Sequence, residues 1–239
     1  MADTNLNRET LAEQVAQAML QRIQDDQLKP GDALPSISTL ADEFSVSRPV
    51  IREALKTLEG REIIQVSNGR SAVVKPVSST SLKNFFQRAI ALNEQTLIEL
   101  MELRQGLEIQ SASLAATRHT PKEARRLQNI VKTMGSLLED IDRYTEFDLE
   151  LHITIAHATR NSLMYFMIES IRDALQDAMQ EGMRRRRDMK QLLHMQHLHE
   201  RIVDAVTKGD ADEAALAMAA HFDDAITLLS QTSIPLEDV

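Results

Sequence analysis

The stretch TEFDLELHITIAHATRN sets Asp148 and His152 four residues apart. On a helix that spacing puts both side chains on one face, where a carboxylate and an imidazole can ligate one metal ion. Two further histidines join them by geometry. KGD at 208–210 reads as the turn of a helical hairpin, and His199 and His221 each lie some ten or eleven residues from it. At about 1.5 Å per residue both sit on the order of 15 Å from the turn, at one height on facing helices. His199 shares its stripe with Ile202, Val203 and Val206, and His221 with Met218 and Ala225, so both point inward. A single inward histidine is more often a hydrogen-bonded core residue than a ligand. Spacing alone therefore admits both a buried polar network and a divalent metal site. His157 lies about 140° around its helix from His152 and misses that face. His194 and His197 fall off the His199 face, and His119 lies in a turn.

Three arginines stand where a planar fork could act. Arg104 falls between Leu100 and Leu107 on the inward stripe of its helix, where an unpaired charge is costly. It can pair with Glu108 one turn on, or grip the carboxylate of a bound molecule. Arg48 and Arg52, in SVSRPVIREALKTLEG, are also one turn apart, with Lys56 a further turn along the same face. A guanidinium at the start of an exposed helix can bond guanine O6 and N7 together or clamp a phosphate. Basic residues on a helix face usually only meet water, so the surroundings must decide.

Those surroundings are the elements of a small DNA-binding module. TLAE at 10–13 can form a capping box that starts a helix carrying Leu11, Val15, Ala18, Met19 and Ile23. KPGDALP breaks the chain, Ser36 can cap a short second helix, and SVS makes a tight turn. Ser47 can then cap a third helix from Arg48 to about Leu58, with Pro49 tolerated in its first turn. EIIQV and SAVVKP read as two short strands around SNGR, where Asn68–Gly69 signals a hairpin and Arg70 follows at its tip. Three helices and a hairpin make a winged helix-turn-helix over residues 1–76, with the wing beside the DNA backbone or minor groove. PVSSTS opens a linker and connecting helix over 77–93. Residues 94–239 read as an all-α antiparallel bundle, with helices near 94–118, 121–139, 143–158, 162–188, 190–208 and 211–230. The fold class is mainly α.

Charge agrees with that division. The chain of 239 residues carries a formal net charge of -9, yet residues 45–76 hold six basic side chains against three acidic ones. A basic surface on an acidic body suits a module that meets phosphate at one end. With no cysteine, disulfides, thiol catalysis and thiolate metal sites are excluded. The polar, acidic opening MADTNLNRETLAEQ has the wrong chemistry for a signal or transit peptide, and no apolar run approaches a membrane span, so the expected compartment is the cytoplasm.

LKPGDALPSISTLADEFSVSRPVIREALKTLEG with its NG wing resembles the DNA-binding domain of the GntR superfamily of bacterial transcription regulators, over roughly residues 10–76. LMELRQGLEIQSASLAA, FDLELHITIAHATRN and HERIVDAVTKGDADEAALAMAAHF are similar to the FCD ligand-binding domain of its FadR subfamily, over roughly 94–230. The resemblance implies DNA contacts from Arg48, Arg52 and Gly69, and metal ligation by Asp148, His152, His199 and His221. It implies a divalent ion, commonly zinc, nickel or manganese, whose open positions take a small organic-acid or sugar-acid effector gripped by Arg104. It also implies repression relieved by ligand. The chain departs from the family pattern at Ile37–Ser38, where Glu and often a basic residue are usual, at Ser71, and at Arg160, where relatives often have Gly.

The expected function is a metabolite-responsive regulator. A single short recognition helix reads too few bases alone, so a homodimer on a palindromic double-stranded operator is expected. The competing reading is a metal-dependent, hydrolase-like enzyme with an appended DNA module, since three His and one Asp could activate water. No convincing general base stands beside the site in sequence, Glu108 being the sole weak candidate. A purely structural helical adaptor would leave an inward arginine and four aligned donors unused.

Overall fold

The computed structural model describes residues 9–66, 71–93, 95–184 and 188–230, with backbone alone for 177–184 and 228–230. The chain divides into two compact units, Met1–Ser78 and Ser79–Val239.

In the first unit α1 (Leu11–Asp25) starts at a complete Thr10/Glu13 capping box and buries Val15, Ala16, Met19 and Ile23. The short α2 (Ile37–Glu43) is capped by Ser36, whose hydroxyl accepts from the Thr39 amide. Its exit turn puts Ser45 at φ 53°, with the Val46 amide donating back to Ala41. That reversal aims α3 (Arg48–Gly60) across α1, burying Ile51, Ala54, Leu55 and Leu58 in one shared core. The strands β1 (Ile64–Gln65) and β2 (Val73–Val74) pair antiparallel with Ile64 opposite Val74. They are shorter than EIIQV and SAVVKP suggest. In return KPGDALP does more than break the chain: Ala33 bridges Val73, and the amides of Gly31 and Leu34 donate to Val74 and Ala72. Gly31, at φ 95°, permits that third edge.

The second unit is helical throughout its described residues: α4 (Thr80–Leu92), α5 (Thr96–Arg118), α6 (Pro121–Gly135), α7 (Ile141–Ala158), α8 (Ser162–Arg184), α9 (Met189–Lys208) and α10 (Ala211–Ser230). Each amphipathic helix turns its stripe inward; in α6 this is Leu127, Ile130, Val131 and Met134. α6 stops at Gly135, four residues short of expectation, because the chain must turn before Asp140 caps α7. Gly209, left-handed at φ 79°, closes α9, and Asp210 accepts from the Glu213 amide to start α10. α5 is the central helix, packed against α7, α8, α9 and α10. One face, marked by Glu102, Gly106 and Gln110, stays exposed, while the rest is covered, including the polar row Arg104, Glu108 and Ser111. The first turn of α4 is fastened to α8, with the Ser79 hydroxyl donating to Glu169 at 2.6 Å and the Lys83 ammonium 3.2 Å from Asp173. No helix among the described residues is long and apolar enough to cross a membrane.

Candidate functional site

Three helices converge on one buried cluster. α7 brings Asp148 and His152, α9 brings His199 and α10 brings His221, all with relative exposures of 7% or less. One potential ligand atom from each lies within 4.8 Å of the others. The ring centroids of His199 and His221 are 4.6 Å apart and those of His152 and His221 5.0 Å, as equal height above the 208–210 turn requires.

Neighbours fix the rings. His152 turns Nδ1 to the Glu108 carboxylate in a short bond, and His199 turns Nδ1 to the Tyr144 hydroxyl at 3.0 Å. Tyr144 itself donates to Gln196, so its oxygen accepts the His199 proton. Both histidines thus carry the ring proton on Nδ1 and present a bare Nε2 to the cluster. Neither Nε2, nor Nδ1 of His221, has a hydrogen-bond partner. His199 Nε2 lies 2.9 Å from an Asp148 oxygen without hydrogen-bond alignment. A lone pair facing a carboxylate at that distance repels unless a cation lies between them. Metal bonds of about 2.0–2.2 Å hold opposite donors roughly 4.4 Å apart and tetrahedral ones nearer 3.4 Å, so the four side chains would draw together around an ion.

The protonation states also suit ligation. Burial pushes the pKa of His199 down, and burial with His199 and His152 alongside holds His221 well below the ordinary range, so both imidazoles are neutral. Burial alone would raise Asp148, but His152 and Arg172 outweigh it and keep the carboxyl ionised. One ionised oxygen donor and three nitrogens fit a divalent ion of the zinc, nickel or manganese type.

Around this cluster lies a buried ionic shell. Arg104 is 2% exposed, with Nε donating to Glu108 at 2.5 Å and its guanidinium 5.0 Å from the centre of the Phe222 ring. The pairing expected within α5 therefore forms, but in the core. Glu108 also bonds His152 and lies 3.5 Å from Arg172 Nη1. Burial pushes its pKa up, and Arg104, His152 and Arg172 more than reverse this. Arg172, absent from the sequence reading, donates through Nη2 to Asp148 at 2.8 Å. Its signal was available, because it sits among buried Ile168, Ile171 and Leu175 at helical spacing. The other histidines stand apart. His157 faces Glu123 at the surface, His119 bonds the end of α5, His194 approaches Asp224, and His197 is exposed.

On α3, Ser47, Arg48, Arg52 and Lys56 are exposed opposite the buried side. No carboxylate among the described residues pairs with Arg48 or Arg52, whereas Lys56 bonds Glu53 at 2.9 Å. Ser47 occupies the capping position, but its hydroxyl makes no capping bond. Pro49 has removed one of the two amides such a hydroxyl could reach. Asn68, Gly69 and Arg70 lie outside the described residues.

Comparison with known proteins matches residues 11–74 to the bacterial regulatory proteins of the gntR family and residues 99–224 to the FCD domain. The chain belongs to the GntR family and carries an FCD domain. It is 31% identical to the HTH-type transcriptional regulator LutR of Bacillus subtilis, over 87% of this chain and 96% of that one. It is 28% identical to the putative L-lactate dehydrogenase operon regulatory protein of Escherichia coli, over 88% and 83%. Among solved structures, Streptococcus agalactiae GntR superposes with a TM-score of 0.72 at 25% identity, covering 90% of this chain and 99% of that one. The protein is a transcription regulator with an effector-binding domain.

Proposed function

We propose that this regulator is a repressor that binds a palindromic operator as a homodimer and is controlled by a small organic-acid or sugar-acid carboxylate at a metal site in the helical unit. Asp148, His152, His199 and His221 hold the ion, zinc first and nickel or manganese as alternatives. The observation carrying this reading is the group of three buried histidine nitrogens without partners around one ionised carboxylate. A bound divalent ion supplies a Lewis-acidic anchor for an anionic oxygen. The chain's own residues do the rest: Glu108 and Tyr144 hold two rings in the ligating tautomer, and Arg104 walls the pocket with positive charge. The relative named for an L-lactate dehydrogenase operon points to the same effector chemistry.

At the other unit Arg48 and Arg52 contact base edges, Ser47 and Lys56 the neighbouring backbone, and Asn68, Gly69 and Arg70 the wing side of the site. The test starts from an operator selected by the wild-type protein from promoter fragments. Arg48→Ala with Arg52→Ala is expected to abolish its gel shift while the fold is kept, and undiminished binding refutes the assignment. Metal analysis of purified protein should find about one divalent ion per chain, and L-lactate, glycolate or citrate should weaken the shift of the loaded protein.

A further inference from the structure

Of the two buried guanidiniums beside the metal cluster, Arg172 has hydrogen-bonding capacity in reserve. It is 0% exposed, and its Nη2 is bonded to Asp148. Its Nε and Nη1 have no hydrogen-bond partner, the Glu108 oxygen at 3.5 Å being out of alignment with Nη1. Those two nitrogens carry three of the five N–H donors of a guanidinium. Leaving them unanswered in the core costs about 1–3 kcal/mol per group, so the arrangement is complete only when an acceptor arrives. Arg104, by contrast, already spends Nε on Glu108 and lays its face on Phe222.

Charge points the same way. Asp148 and Glu108 balance Arg104 and Arg172 when no ion is bound. A divalent ion adds two positive charges beside Asp148 and weakens that carboxylate's hold on Arg172. An anion then restores balance, and it is best placed against the side chain that bridges metal ligand and open donors. One Asp148 oxygen meets Arg172 while the other faces His199, so Arg172 and the metal cluster stand one carboxylate apart.

We infer that Arg172 is the principal recognition residue for the effector's carboxylate, with Arg104 contributing charge and holding Glu108. This rests on the reading of the cluster as a metal-dependent carboxylate site. The test uses the zinc-loaded full chain as wild type, Arg172→Lys and Arg104→Lys. Lysine keeps a positive charge for Asp148 but loses the fork. Zinc content and circular dichroism should match wild type, while titration calorimetry with L-lactate, glycolate and citrate should show affinity falling roughly tenfold or more in Arg172→Lys. Arg104→Lys should lose several-fold less. Affinity in Arg172→Lys within about threefold of wild type overturns the inference and leaves the carboxylate reading standing. A wild type that binds none of the three acids overturns that reading and this inference with it. Loss of zinc from Arg172→Lys, with binding restored by excess zinc, also overturns it, since Arg172 would then act only by holding Asp148. Should Arg172→Lys fail to fold, the ε-nitrogen NMR spectrum of wild type decides. A slowly exchanging Nε–H signal that shifts with L-lactate supports the inference, and protected signals that stay fixed overturn it.

Discussion

Glu108→Gln is the change that most directly loads the buried shell. In the native chain this carboxylate receives Arg104 Nε at 2.5 Å and His152 Nδ1 in a short bond, with Arg172 Nη1 3.5 Å away. The substitution keeps volume but removes one of two negative charges facing two buried guanidiniums, and it points an amide donor at other donors. Breaking a buried ion pair from one side costs about 3–5 kcal/mol. For a unit of this size that corresponds to a fall of roughly 6–20 °C in Tm. His152 also loses the acceptor that fixes its tautomer, a change that costs roughly 10–100-fold in metal affinity. Calorimetry of the chelator-treated protein reads the first effect, and zinc competition against a fluorescent chelator reads the second. A Tm within about 2 °C of wild type together with unchanged zinc affinity refutes the account of Glu108 as the link between Arg104 and His152.

Three further predictions concern the frame. Thr120→Ala should cost about 1 kcal/mol in urea unfolding because Thr120 closes a capping box with Glu123. Ser47→Ala should cost under about 0.5 kcal/mol while weakening operator binding, since that hydroxyl caps nothing. Burial pushes the Glu123 pKa up, but bonds from Arg160 and Thr120, with His157 alongside, bring it down to about 2 from an ordinary 4.5. The folded value lies below the unfolded one, so ionised Glu123 stabilises the fold above about pH 4.5, and this is lost as pH falls toward 2. The stability gap between wild type and Glu123→Gln should therefore narrow between pH 5 and pH 3; a gap of constant size contradicts the pairing.

The parts of the molecule that local rules control were legible in the sequence. Capping residues, the Pro and Gly breaks and the 3.6-residue stripes located the helices, and the hairpin turn at 208–210 put His199 and His221 at one height. What escaped depends on tertiary partners. KPGDALP looks like punctuation because its edge pairing is with β2, some forty residues away. Arg172 was missed because its partners, Asp148 and Glu108, belong to two other helices. Glu108 was visible as an intrahelical partner of Arg104, but its bond to His152 needed α5 to lie against α7. Arg160 adopts φ 57°, where glycine is at ease, and its two bonds to Glu123 offset that strain; spacing between residues gives no sign of either.

Helix α8 has a mechanical consequence that belongs to neither the cluster nor the linker alone. Arg172 leans into the ionic core, and within one turn of it Glu169 and Asp173 grasp Ser79 and Lys83 at the root of α4. A close-packed helix moves as a rod, so a fraction of an ångström of slide or roll at Arg172 reappears undiminished at Ser79. Ser79 is the first residue after the unit that carries Arg48 and Arg52. The residue that follows the unit bearing Arg48 and Arg52 is thus moored to the same rod that carries Arg172 into the ionic core, and no relay of intervening side chains is needed.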